Sequence, residues 1–311
     1  MSVVGELSAL RRAKKGGTKE ETPDNKVAYL FLAPWLIGLF GITIGPMIAS
    51  LFLSFTDYNL IQAPKWIGLE NFIAMANDAR LLNSLRVTFT YVIVSVPLQL
   101  MLALGIAIVL DRGMRGLAFY RSIFYLPSLL GSSVAVAILW RQIFGTTGLV
   151  NQLLLFLGVQ SPPGWISNPD TALGAIILLH VWTFGSPMII FLAGLRQIPR
   201  MYYEAAEVDG ASRRTRFVSI TLPLLSPIIF FNLVLQIIGA FQSFTQAFIV
   251  SGGSGGPSDS TMFYTLYLYQ KGFGQLDMGY ASAMAWLLVV IIGGFTAINF
   301  LAAKYWVFYD D

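Results

Sequence analysis

His180 is the only histidine of the chain, and none of its 311 residues is cysteine. One imidazole without thiolates leaves no conventional zinc site, and the H-E-x-x-H arrangement needs two histidines. The lack of cysteine also rules out a disulfide framework. A Walker A loop requires Gly-Lys ahead of Ser or Thr, with the lysine on the phosphates, and no Gly-Lys pair occurs. The glycine-rich run 252–256 lacks that lysine and reads as part of an outer loop, residues 251–260. Beyond the charged first 26 residues, one concentration of titratable residues stands out, where Glu204, Glu207 and Asp209 lie among Arg196, Arg200, Arg213, Arg214 and Arg216.

The elements that hold these residues come from an apolar chain. Hydrophobic residues make up 56% and charged residues 12%, against about 45–50% and about 25% in soluble domains. So few charges cannot cover a water-facing surface, and so much apolar content excludes a disordered chain. A bilayer core of about 30 Å takes roughly 20 apolar residues as helix. Six stretches reach that length: 27–55, 87–110, 122–140, 171–195, 223–250 and 279–303. The fold class expected is all-α, a polytopic membrane protein of six transmembrane helices over residues 27–311. A charged tail over 1–26 precedes it, with a short surface helix at residues 3–10. The first apolar run is too long for a signal-peptide core and is read as retained.

None of the six stretches contains Asp, Glu, Lys or Arg. A central charge costs about 2.5–3.5 kcal/mol and is kept mainly for ion or proton relays, so its absence argues against an ion-driven carrier. Fifteen of the 20 Lys and Arg residues lie in the tail, in the second and fourth connections and at Lys304. The positive-inside rule therefore places both termini and these connections in the cytoplasm. The basic balance is an orientation signal, and no nucleic-acid partner is expected.

The fourth connection, residues 196–222, far exceeds the usual 2–8 residues between bundle helices. Pro199 suits a helix start, and Gly210 a helix stop. Ser212 can cap a second short helix reaching Phe217, after which Pro223 opens the fifth span. Two short helices with a glycine corner are predicted. Spacing of i, i+3 and i+7 puts Tyr203, Ala206 and Gly210 on one face, small enough for another backbone to approach. Such a unit is either a solvated connector or a docking knob for a cytoplasmic partner.

The segment from Glu204 through Pro223 resembles the EAA motif, E-A-A-x-x-x-G-x(9)-I-x-L-P, with Glu204, Ala205, Ala206, Gly210, Ile220, Leu222 and Pro223 at its defined positions. That motif marks permease subunits of ATP-binding-cassette importers that work with a solute-binding protein. LAPWLIGLF from Leu32, LSFTDYNL from Leu53, GLENF from Gly68, Leu126-Pro127, Trp140, Phe144, Gly148, Asn151 and WISNP from Trp165 are similar to the carbohydrate-uptake class. That class includes the maltose and glycerol-phosphate permeases, and the likeness is to their first subunits.

The resemblance implies a type I importer permease fold in a bacterial or archaeal cytoplasmic membrane. The partners it implies are a second permease subunit, an ATPase dimer seated on the EAA loops, an extracytoplasmic binding protein, a sugar substrate and membrane lipid. No cofactor belongs to this chain, ATP and Mg being held by the ATPase, and the chain is not itself an enzyme. Glu204, Ala205, Ala206, Asp209 and Gly210 would form the ATPase-coupling surface. The path would draw on the fourth and fifth spans, with His180, Thr183, Phe184, Gln236, Phe241 and Gln242 as candidates, and Gln242 favoured. An ion-coupled or facilitative carrier and a membrane scaffold are the competing classes.

Overall fold

The computed structural model describes residues 25–113 and 116–308, so most of the tail, with its expected helix at residues 3–10, lies outside the described residues. The chain divides into two units, residues 1–52 and 53–311. In the first, a helix Asn25–Gly38 passes through a π-helical segment, Leu39–Ile44, into Gly45–Leu53. Gly45 N–H bonds Phe40 O in that wide turn. The widening lies just ahead of Pro46, whose ring has no N–H to give and crowds the carbonyl four residues back.

The second unit is organised around the second span, Ala79–Asp111, longer than expected because the Asp78 carboxylate caps it. That carboxylate accepts Arg80 N–H at 3.0 Å and Leu81 N–H at 3.1 Å, satisfying two of the orphan donors at the helix start. Tyr91, Ser95, Gln99, Ala103 and Ala107 lie buried along one face at four-residue intervals. Both halves of the fourth span and the fifth span pack on this helix. In lipid no hydrophobic force draws helices together, and small and polar residues are what let them approach closely. The sixth span is Met278–Trp306.

Three expected spans are not single straight helices. The third is two helices, Leu117–Leu130 and Val134–Ile143, meeting at 96°. Ser133, extended at ψ 145°, caps the second of these by accepting Val136 N–H. The fourth divides into Pro169–Trp182 and Gly185–Leu195, bent by 41°. The fifth ends at Phe241, with Gln242 at the helix end, and a separate turn of helix follows at Thr245–Val250. Its start is also corrected. The second loop helix, Arg213–Arg216, is no separate element, since it runs through a π-helical turn, Phe217–Thr221, into Leu222–Phe241 as one 29-residue helix.

The rim at the hairpin end closes through polar side chains. Asn71 donates to Ser54 O and Thr56 O, at 2.9 and 3.0 Å, holding the short hairpin Thr56–Asp57 and Lys65–Trp66. Asp78 also accepts the phenols of Tyr267 at 2.7 Å and Tyr280 at 2.8 Å. Arg80 grips Asp259 with two parallel bonds of 2.9 and 3.0 Å. A Cβ at Gly279 would collide with the backbone of Thr56, so the sixth span starts directly against the hairpin.

Candidate functional site

The breaks in the third, fourth and fifth spans meet. A helix end inside a bilayer strands carbonyls that lipid cannot satisfy, and such backbone survives only in protein or along a wet cavity. Here the bonds come from neighbouring spans. Gln99 Nε2 donates to His180 O, Thr183 O and Thr183 Oγ1, at 3.1, 3.1 and 3.0 Å. Ser128 Oγ donates to Thr183 O and accepts Ser186 N–H, both at 2.8 Å, so it serves both halves of the fourth span. Gln246 Nε2 donates to Gly131 O at 3.3 Å, joining the fifth break to the third. Gly131 abuts Thr183 so closely that a Cβ would run into the threonine methyl, and a Cβ at Gly185 would strike the backbone of Phe124.

The candidate path residues are not all brought together. His180, Thr183 and Phe184 cluster at the fourth-span break. Phe184 is buried, and the His180 ring meets Tyr91 edge-on at 5.4 Å. His180 Nε2 is enclosed and has no hydrogen-bond partner among the described residues. Gln242 sits exposed at the end of the fifth-span helix, next to Ser243, whose hydroxyl bonds Gln246 Oε1 at 3.2 Å. Gln236 is half-buried further down that helix. Phe241 is turned into the core, 1% exposed, with Phe89 and Phe295 each at 5.4 Å. Gln99, Ser128, Gly131 and Gly185 escaped the sequence reading, although Gln99 is the only amide side chain in the apolar run 87–110.

Residues that carried the resemblance turn out to be joints. Trp140 Nε1 donates to Ala175 O at 2.9 Å, tying the third span to the fourth. Asn151 accepts Trp165 Nε1 at 2.7 Å and donates to Thr146 O and Pro163 O. The run 252–256 also fits the letters of a nucleophile elbow, G-x-S-x-G. An elbow needs a strand before the serine and a helix after it. Here the run is a turn, and Ser254 Oγ is spent on Ser251 O at 2.8 Å.

On the loop between the fourth and fifth spans, a helix Arg200–Val208 ends in a Schellman corner. Ala211 N–H bonds Ala206 O at 2.9 Å, Gly210 N–H bonds Glu207 O at 3.1 Å, and Gly210 adopts φ +75°. The helix shows a different face from the one its small residues suggested. Tyr203 and Ala206 turn inward and are half-buried. Outward go Met201, Glu204, Ala205 and Val208, with Val208 89% exposed. Met201, Ala205 and Val208 follow i, i+4, i+7 spacing, a stripe the sequence held openly. Glu207, Asp209 and Gly210 are exposed beside it.

A bundle of apolar spans, broken where polar side chains converge and carrying an amphipathic loop helix at one end, defines a multi-pass membrane permease. The chain belongs to the family described as binding-protein-dependent transport system inner membrane component, which matches residues 72–305. It is 56% identical to the probable ABC transporter permease protein YesP of Bacillus subtilis strain 168, over 93% of this chain and 94% of that protein. It is 33% identical to the arabinooligosaccharides transport system permease protein AraP of the same organism, over 90% of each. A chain from the crystal structure of a bacterial alginate ABC transporter, in complex with a pentasaccharide-bound periplasmic protein, superposes with a TM-score of 0.75 at 20% identity, covering 90% of this chain and 94% of that one. That likeness shows the type I permease fold.

Proposed function

We propose that this chain forms half of the translocation path of an ATP-driven importer for a sugar, or a related polyol or glycoside, in the cytoplasmic membrane of a bacterium or archaeon. A second permease supplies the other half, a solute-binding protein delivers the substrate from outside, and an ATPase dimer seats on the EAA loops. Both termini face the cytoplasm. The ATPase holds ATP and Mg, and this chain contributes no catalytic group. One observation carries the reading: the EAA segment builds an exposed helix whose corner leads into a single helix running to the fifth-span break. The relatives named for arabinooligosaccharides and, at 32% identity, lactose transport in Rhizobium radiobacter support the carbohydrate class.

On this reading Met201, Ala205 and Val208 enter the ATPase cleft, with Glu204, Asp209 and the Gly210 corner at its rim. Ala206 backs the helix from within. His180, Thr183 and Gln242 face the path, and Gln236 lies below them. Phe184 and Phe241 shape it from the packed side. The test is ATP-dependent sugar uptake in vesicles reconstituted with all subunits, using substrates found by a binding screen on the solute-binding protein. A Gly210→Val variant must hold a β-branched residue at φ +75°, where a side chain costs about 1–2 kcal/mol. It is expected to lose ATPase co-purification and uptake. Full docking and uptake in that variant would reduce the loop to a connector.

A further inference from the structure

The loop helix is attached unequally to the two spans it joins. Towards the fifth span the attachment is dense. Tyr203 reaches inward from the middle of the loop helix, packs on the core, and its hydroxyl is hydrogen-bonded to that of Thr221 at 2.9 Å. Thr221 is buried, 6% exposed, and closes the π-helical turn at the base of the fifth span. Near the far end of the loop helix, Arg216 meets Glu207 at 3.2 Å across the glycine corner, and the Schellman bonds fix the corner itself. Towards the fourth span the attachment is apolar and has no side-chain hydrogen bond to match it among the described residues. Gln197, Ile198 and Pro199 connect without helix, Ile198 packs into the core, Pro199 is extended at ψ 133°, and a cavity of about 210 Å³ opens on this side, lined by Gly194, Gln197, Ile198, Tyr202, Pro227 and Phe308 among others.

We infer that Tyr203 is a positioning residue. With Thr221 it locks the loop helix and the fifth span into one lever, and the segment 197–199 is the joint about which that lever turns. The helix from Arg213 to Phe241 then carries a displacement from the loop to Gln242 at the other end. A π-turn leaves backbone groups poorly paired and is common where helices do work. The Tyr203 phenol stiffens this one from the side. This inference rests on the proposal that an ATPase seats on the loop, and the experiment separates the two.

Tyr203→Phe and Thr221→Val each remove one partner while keeping size and shape, and are compared with Gly210→Val in the full reconstituted complex. Losing one hydrogen bond of ordinary net strength predicts a fall in uptake turnover of about fivefold. The KM for uptake and ATPase co-purification should stay unchanged, and the ratio of substrate-stimulated to basal ATP hydrolysis should drop. A merely structural bond would leave that ratio alone. The double variant should be no worse than either single one, since both break the same contact. Wild-type turnover and stimulation in both single variants, or additive losses in the double, overturns the lever. Loss of docking in Tyr203→Phe also overturns it, because the phenol would then belong to the seat. If Gly210→Val docks normally as well, the seat is what fails.

Discussion

Single polar side chains carry much of the architecture. Gln99, 1% exposed, is a bridge: truncated to leucine of similar size, it would leave the His180 and Thr183 carbonyls with fewer donors inside the bundle. An unmet buried polar group costs about 1–3 kcal/mol. Gln99→Leu is therefore expected to lower the thermal midpoint of the purified protein, while Leu98→Ala, on an exposed position next to it, is not. Asp78 has a pH signature. Burial pushes its pKa up, but hydrogen bonds from Tyr267, Tyr280 and the N–H groups of Leu81 and Arg80 outweigh this and hold it below the ordinary 3.8. A carboxyl depressed on folding contributes stability above its unfolded pKa and loses it as pH falls through the lower, folded value. Asp78→Asn should cost stability at neutral pH and flatten the decline below about pH 4, read by thermal unfolding across a pH series. Neither residue stood out in the sequence. An uncharged amide adds little to a hydropathy count, and Asp78 lies outside the apolar run, so its partners were visible only in the fold.

Among the elements, the sequence spoke clearly about length and poorly about direction. All six apolar runs are helical over most of their length, because hydropathy needs only composition. The 96° turn in the third span depended on how Gly131 and Ser133 pack and cap, and Gly131 is set by Thr183, a residue of a different span. Gly131→Val is expected to push the third and fourth breaks apart, at the 1–3 kcal/mol typical of overpacking. Gly174→Val, with open space around its Cβ, serves as the control, and both are read by thermal unfolding. The loop helix teaches the same lesson. Its start, its glycine corner and the Ser212 cap were legible from local chemistry. Its outward face was not, because two spacing patterns competed and only the Tyr203 anchor to Thr221 decides between them. Ala205→Trp should therefore abolish ATPase co-purification, whereas Ala206→Trp should first destabilise the subunit by crowding its interior.

For the molecule as a whole, the distribution of basic residues gives an orientation that labelling can check. The chain has no cysteine, so single replacements report cleanly. Ser254→Cys should react with an impermeant thiol reagent from outside intact cells, and Ser212→Cys only after the membrane is opened. The reverse pattern would turn the molecule over and remove the loop from any cytoplasmic partner. The path has a whole-molecule reading too. Gln242 is exposed in the single chain while Phe241 beside it is buried. Gln242→Ala should then reduce uptake without lowering the subunit's own thermal midpoint.

The rim at the hairpin end also sets a clock on biosynthesis. Asp78 bonds Tyr280 across 202 residues, and Arg80 bonds Asp259 across 179. At about 5–20 residues per second, a ribosome takes roughly 10–40 s to deliver Tyr280 after Asp78 has emerged. Until the end of that interval the capping carboxylate of the second span lacks at least one of its two phenols, and the hairpin at Thr56 has no sixth span to rest on. A chain that stalls or is cut before its last span thus carries an open rim whatever the state of its other helices. The rim can close only once the start of the last span has been made, since Tyr280 and Asp259 both lie late in the chain.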